Sequence, residues 1–168
     1  MMIERVRNWV KEVLEDLNKD IPCYWSVNEI TALCMCESCG DPDVETHVAK
    51  GLMQITPIAF YDVQDEFPEM MRDIKYSDVH DPYINIKVGV LYLETVFHRL
   101  IRIRKVQYPK IWSIIAYNWG LKNVLNVIDL QPCIQHIFRH IPEETQRHLW
   151  KYLVFLEYIR EYYGEGGE

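Results

Sequence analysis

Long apolar runs are missing from this 168-residue sequence. No window approaches the ~18–20 apolar residues that a spanning helix needs, so no membrane span is expected. The first residues, Met1-Met2-Ile3-Glu4-Arg5-Val6-Arg7, mix charged with apolar side chains and leave no uninterrupted apolar core for a signal peptide. An excess of positive charge is also missing. Lys and Arg total 18 against 25 Asp and Glu, a net charge of −7, which argues against a nucleic-acid partner that would be held through its phosphates. The one basic run, His98, Arg99, Arg102, Arg104 and Lys105, falls near the end of an expected helix, where cations complement the helix dipole.

An even cysteine count is missing as well. With five cysteines (Cys23, Cys34, Cys36, Cys39 and Cys133), at least one thiol stands outside any internal disulfide. Cys34-x-Cys36-x-x-Cys39 has the look of a metal motif, but residues two apart on a helix point to different faces and no His follows at a ligand spacing. The expectation is packing thiols, with neither metal nor cofactor. Internal repeats and linkers are absent too, so the reading is one domain over residues 1–168. A chain of this length buries roughly two thirds of the surface its unfolded form exposes.

What is present is helical periodicity. Ile3, Val6, Val10, Val13, Leu14 and Leu17 predict an amphipathic helix over residues 2–18, stopped before Pro22. Ser26-Val27-Asn28-Glu29 reads as a capping box that starts a second helix. Its apolar stripe runs Ile30, Leu33 and Cys34, and the next residue on that stripe is Glu37. Gly40, Asp41 and Pro42 then end the helix, which places Glu37 in its last turn. Residues 40–56 lack helical period and read as a loop or short hairpin. Further helices are expected at 57–66, at 84–105 behind the Asp81-Pro82 start, at 109–118, at 121–129, and from Pro142 to Tyr163. The stripe of the last is Leu149, Leu153, Leu156 and Ile159, and the tail from Gly164 is expected to fray. The fold class is all-α, with a small irregular region near residues 40–56.

A carboxylate on the buried stripe of a helix is an oddity with two readings. Taken alone, such a Glu is more often salt-bridged or snorkelling than catalytic. Its neighbours alter the balance. Glu37-Ser38, then Pro42, Thr46, Ala49, Gly51-Leu52-Met53-Gln54 and Pro57 resemble the signature of the soluble lytic transglycosylases. The resemblance continues through Asp81-Pro82, Asn85-Ile86, Gly89, Tyr92-Leu93, Ala116-Tyr117-Asn118-Trp119-Gly120, Pro142, Glu144 and Thr145. It covers roughly residues 26–163. It implies a helical, lysozyme-like fold, formally of the α+β lysozyme superfamily, with a glycan groove.

The same resemblance implies a reaction. The family cuts the β-1,4 bond between N-acetylmuramic acid and N-acetylglucosamine in peptidoglycan and leaves a 1,6-anhydro ring on the muramic acid. Glu37 would be the catalytic acid and base, and half-burial on an apolar face suits a carboxyl that must begin protonated. Ser38 would orient it or a sugar hydroxyl, Gln54 and Asn118 would hydrogen-bond the glycan, and Met53 and Tyr117 would line the groove. Against these stand a helix C-cap for Ser38, loop-stabilising amides for Gln54 and Asn118, and core packing for Met53 and Tyr117. A late tyrosine facing Glu37 is implied, with Tyr152 and Tyr158 as candidates and Tyr158 preferred. Goose-type lysozymes, the hydrolytic relatives, share Glu37 and Gly51-Leu52-Met53-Gln54 but place an aspartate where this chain has Thr56. Hydrolysis through Asp41, Asp43 or Glu45, as a goose-type-like lysozyme or a chitinase-like glycosidase, and a silent glycan-binding or virion structural role, are the alternatives. The expected partner is the glycan strand, met by a monomer delivered by a phage particle or another export route.

Overall fold

The computed structural model describes residues 2–103, 106–128 and 138–165. The expectations for Arg104, Lys105 and Cys133, for the helix ends at 105 and 129, and for residues 166–168 of the tail lie outside these. The helices are α1 (Met2–Leu17), α2 (Val27–Ser38), α3 (Pro57–Glu66), α4 (Pro82–Ile103), α5 (Pro109–Trp119), α6 (Leu121–Ile128) and α7 (Glu143–Tyr163), with a 3₁₀ turn at Tyr76–His80. Among the described residues no strand forms. The hairpin of the irregular region is reduced to two isolated antiparallel bridges, Glu45 with Lys50 and Lys50 with Ile55. No described helix is long and apolar enough to cross a membrane.

Three helices start on a capping side chain. In the α2 capping box, Ser26 Oγ accepts from the Glu29 N–H at 3.3 Å and Glu29 Oε2 accepts from the Ser26 N–H at 2.8 Å. The Thr56 hydroxyl caps α3 by accepting from the Ala59 N–H at 3.1 Å, with Pro57 in the first turn. Asp81 caps α4, its Oδ1 accepting from the Ile84 N–H at 3.0 Å ahead of Pro82. Proline suits these first turns because the N–H it lacks has no helical partner there.

The residues fall into two compact units, Met1–Tyr92 with Tyr152–Glu168, and Leu93–Lys151. Both boundaries lie inside helices, α4 and α7, which is why the sequence shows no linker between them. In the first unit α1 packs on α2. Val6, Val10, Val13 and Leu17 line the inner face of α1, each at most 1% exposed. In the second unit α5 packs on α6, and Gly120 (φ 90°) turns the chain between them while its N–H donates to the Ala116 carbonyl at 2.8 Å.

Two helices depart from the expected stripes. α2 is not half-buried: from Val27 to Cys36 every residue is buried, including Asn28, Glu29 and Thr31. Thr31 and Glu29 are satisfied within the helix, Thr31 Oγ1 donating to the Val27 carbonyl at 2.6 Å and Glu29 closing the capping box, whereas Asn28 reaches distant partners, accepting from Arg7 and donating to the Gly164 carbonyl. In α7 the buried row is Thr145, Leu149, Tyr152, Leu156 and Ile159, and the expected Leu153 is half-buried. A four-three-four-three spacing starting from Thr145 reaches Tyr152, and an aromatic ring buries more area than the leucine beside it.

Candidate active site

Glu37 stands in the last turn of α2, as its position on the sequence implied. It is the first residue of that helix that is not buried. The helix ends two residues on because Cys39 adopts left-handed backbone (φ 56°, ψ 23°), its N–H donating to the Met35 carbonyl at 3.1 Å, and Gly40 follows at φ 81°. The carboxylate therefore emerges from a fully packed rod at the point where the chain opens into the 40–56 loop. One turn back, Cys34 is fully buried, and its thiol pKa is pushed far up, first by burial and then by the negative charge of Glu37. The thiol stays protonated, so it offers Glu37 a neutral, non-nucleophilic neighbour.

Ser38 Oγ donates to the Cys34 carbonyl at 3.0 Å and accepts from the Gly40 N–H at 3.2 Å. The hydroxyl thus closes the helix end on which Glu37 sits. Its effect on the carboxylate is to fix the backbone beneath it.

The Gly51-Leu52-Met53-Gln54 turn is built around one buried amide. Asn85, fully buried in the second turn of α4, accepts from the Met53 N–H at 2.8 Å and donates to the carbonyls of Lys50 and Val79, both at 2.8 Å. A Cβ on residue 51 would lie 2.2 Å from Asn85 Nδ2, and the backbone there has φ 73°, so only glycine fits. Met53 is fully buried rather than groove-lining at its surface, its sulfur filling the space beside Gly89, where a Cβ would meet Sδ at 2.4 Å. Gln54 has positive φ (48°) and is half-buried. Its Nε2 donates to the carbonyls of Val44 at 3.1 Å and Gly51 at 2.9 Å. Both amide hydrogens are spent on the loop, which fixes the orientation of the amide.

The transglycosylase SLT domain model matches residues 24–132, which is more than half of the chain. The chain belongs to this family. It is similar over 94% of its length to the 70 kDa soluble lytic transglycosylase of Escherichia coli (26% identity, TM-score 0.71). An inactive mutant of the lytic transglycosylase Slt from Pseudomonas aeruginosa matches over 94% (19%, TM-score 0.74). A complex of the 70 kDa soluble lytic transglycosylase with bulgecin A matches over 95% (24%, TM-score 0.74). The chain spans 24% of each of these solved chains. No curated protein sequence matches it. The all-α, lysozyme-like fold expected from the sequence is the fold found.

Other positions of this SLT domain are distributed as follows. Tyr117 is half-buried and Asn118 exposed at the end of α5, in the second unit. Of the two late tyrosines, Tyr152 is buried, and its phenol pKa is pushed far up by burial and by the charge of Glu29. Tyr158 is 53% exposed and stacks on Tyr162, beside Met2, Ile3 and Glu4 of α1. The family match ends before α7, so both tyrosines lie beyond it.

Two of the three carboxylates weighed for a hydrolytic role, Glu45 and Asp41, make contacts within the loop. Glu45 Oε1 pairs with Lys50 Nζ at 3.0 Å, which holds its carboxyl below the ordinary range, and Lys50 Nζ also lies 3.2 Å from His80 Nε2. Asp41 Oδ1 accepts from the Asp43 N–H at 3.0 Å in a local turn. Two positions with buried polar chemistry had no role assigned from sequence. Asn85 holds the whole 50–53 turn, and Glu94, 1% exposed on α4, faces His98 Nε2 at 3.8 Å. The signal for Glu94 was legible, since it lies on the apolar row with Val90 and Phe97. No group of three or more His, Cys, Asp or Glu among the described residues is arranged to hold a metal ion.

Proposed function

We propose that this SLT domain is a peptidoglycan lytic transglycosylase that cuts the β-1,4 bond between N-acetylmuramic acid and N-acetylglucosamine and leaves a 1,6-anhydro muramic acid end. Glu37 first gives its proton to the leaving glycosidic oxygen. The resulting carboxylate then takes the proton of the muramic acid's own C6 hydroxyl as that oxygen closes on C1. Substrate supplies the nucleophile, so one protein carboxylate serves both steps. Gln54 Oε1 accepts from a sugar hydroxyl or N-acetyl N–H, and Asn118 hydrogen-bonds the glycan.

The observation that carries this reading is the single half-buried carboxylate at the end of an otherwise buried helix, within a family-matched segment. A second, hydrolytic reading needs a base. Thr56, where goose-type lysozymes carry an acid, serves as the N-cap of α3, and Glu45 is held as a weak base by Lys50. That supports transglycosylation over hydrolysis. Digestion of purified sacculi followed by mass spectrometry tests it. Anhydro ends, one water lighter than reducing ends, are expected, and Glu37→Gln should slow their release by about 10²–10⁴-fold. Equal, negligible release by both proteins would leave the silent glycan-binding role standing.

A further inference from the structure

Tyr158, which the family resemblance put forward to face Glu37, lines a pocket at the start of α1 and the end of α7. The first turn of α1 and the last turns of α7 line a half-open surface pocket of about 390 Å³, formed by Met2, Ile3, Glu4, Tyr158, Tyr162 and Tyr163. Its size sits at the low end of the ~300–1,000 Å³ typical of small-ligand pockets. Tyr158 and Tyr162 are nearly parallel, with ring centroids 6.4 Å apart and planes at 11°, and both are largely exposed. Tyr163 meets Tyr162 edge-on at 4.8 Å and 69°.

The walls are held in place. The Arg7 guanidinium lies 4.7 Å from the centre of the Tyr163 ring and donates to Asn28 Oδ1 at 3.4 Å, while Asn28 Nδ2 donates to the Gly164 carbonyl at 2.8 Å. These contacts tie the end of α7 to α1 and α2, so the cavity exists before any ligand arrives.

Its chemistry narrows the ligand. The lining residues carry three phenol hydroxyls and the Glu4 carboxylate beside ring faces and the Met2 and Ile3 side chains. A purely apolar ligand would displace water from these polar groups and offer no hydrogen bond in its place, which is unfavourable. An anionic ligand would meet Glu4 in a chain whose net charge is already −7. A quaternary ammonium wants rings set as walls around it. Here two rings are parallel and the third already faces Arg7. A pyranose has what remains: a face of C–H groups to lie on a phenol ring, and equatorial hydroxyls and an amide N–H to donate to a carboxylate.

We infer that this cavity binds a neutral N-acetylhexosamine unit of a β-1,4 glycan, stacked on the Tyr158–Tyr162 pair with Glu4 accepting its polar hydrogens. The inference does not depend on Glu37 being catalytic. N-Acetylmuramic acid, with its lactyl carboxylate, is disfavoured by Glu4.

The test is an NMR titration of the folded Glu37→Gln protein with tri-N-acetylchitotriose, reading the ring signals of Tyr158 and Tyr162. Saturable shifts at both rings are expected. Tyr162→Ala, at a 72% exposed position, should weaken the binding read at Tyr158 about tenfold while core signals stay dispersed. N-Acetylmuramic acid should bind more weakly than N-acetylglucosamine, and Glu4→Gln should erase that difference. Ring signals that do not move at saturating sugar, or that respond to tetramethylammonium instead, overturn the inference. Because the readout needs no turnover, a failure of the catalytic proposal on sacculi would leave it intact.

Discussion

Replacing Asn85 with alanine would leave the Met53 N–H and the carbonyls of Lys50 and Val79 buried without the group that now pairs all three. We expect a loss of about 2–4 kcal/mol in urea denaturation. Activity should fall further than stability alone explains, because Gln54 hangs from the same turn. Thr56 allows a sharper change. Aspartate caps a helix as well as threonine does, so Thr56→Asp should keep α3 intact while adding the acid that hydrolytic relatives carry. Mass spectrometry of its products should show reducing ends beside anhydro ends. An unchanged product pattern would mean that position 56 does not decide the fate of the sugar. At Asp16, the hydrogen bond from the Tyr83 hydroxyl, 2.8 Å long, lowers the carboxyl pKa, and burial together with Asp16 raises that of Tyr83 to about 12. The signs are opposite. Asp16 contributes stability that is present above its unfolded pKa and lost as pH falls through its lower folded value. Tyr83 contributes below about pH 10 and loses it as pH rises toward 12. Tyr83→Phe should cost about 0.5–1.5 kcal/mol at neutral pH, toward the lower end because Asp16 is partly exposed, and should flatten both limbs of a stability-against-pH curve.

Between elements, the contact of α4 with the Met53 turn leaves no spare volume. Gly89→Ala would set a methyl 2.4 Å from the sulfur of a fully buried methionine and 3.0 Å from its Cβ. Thermal unfolding should report a cost of about 1–3 kcal/mol, and smaller side chains at position 53 should recover part of it. Helix positions were largely legible in the sequence because capping residues and prolines act locally. Ser26, Thr56, Asp81 and Gly120 each end or begin an element by a bond to a residue a few positions away. What was not legible depends on contacts between distant segments. α2 read as half-buried because its own pattern cannot tell how many sides are covered. The α7 row passes through Tyr152 because tertiary packing selects one of two adjacent candidates, and Tyr158, one turn and a half later, faces solvent and α1. Asn85 is a polar residue at an apolar position, and its three partners lie 6 to 35 residues away.

For the molecule as a whole, the family and the fold follow from a matched segment and from solved relatives four times the chain's length, of which it spans 24%. The candidate site adds a chemical argument about one carboxylate. Glu37 sits at the exit of a buried helix, Ser38 and Gly40 close that helix beneath it, and in the neighbouring loop Glu45 is held in a salt bridge and Asp41 in a turn. On the proposed reading, a site so arranged does not need water as its nucleophile. The decisive measurement is digestion of purified sacculi in water enriched in oxygen-18, followed by mass spectrometry of the released muropeptides. We predict anhydro ends with no label incorporated at C1, and their disappearance in Glu37→Gln. Reducing ends carrying the heavy oxygen would contradict the account and make the protein a hydrolase.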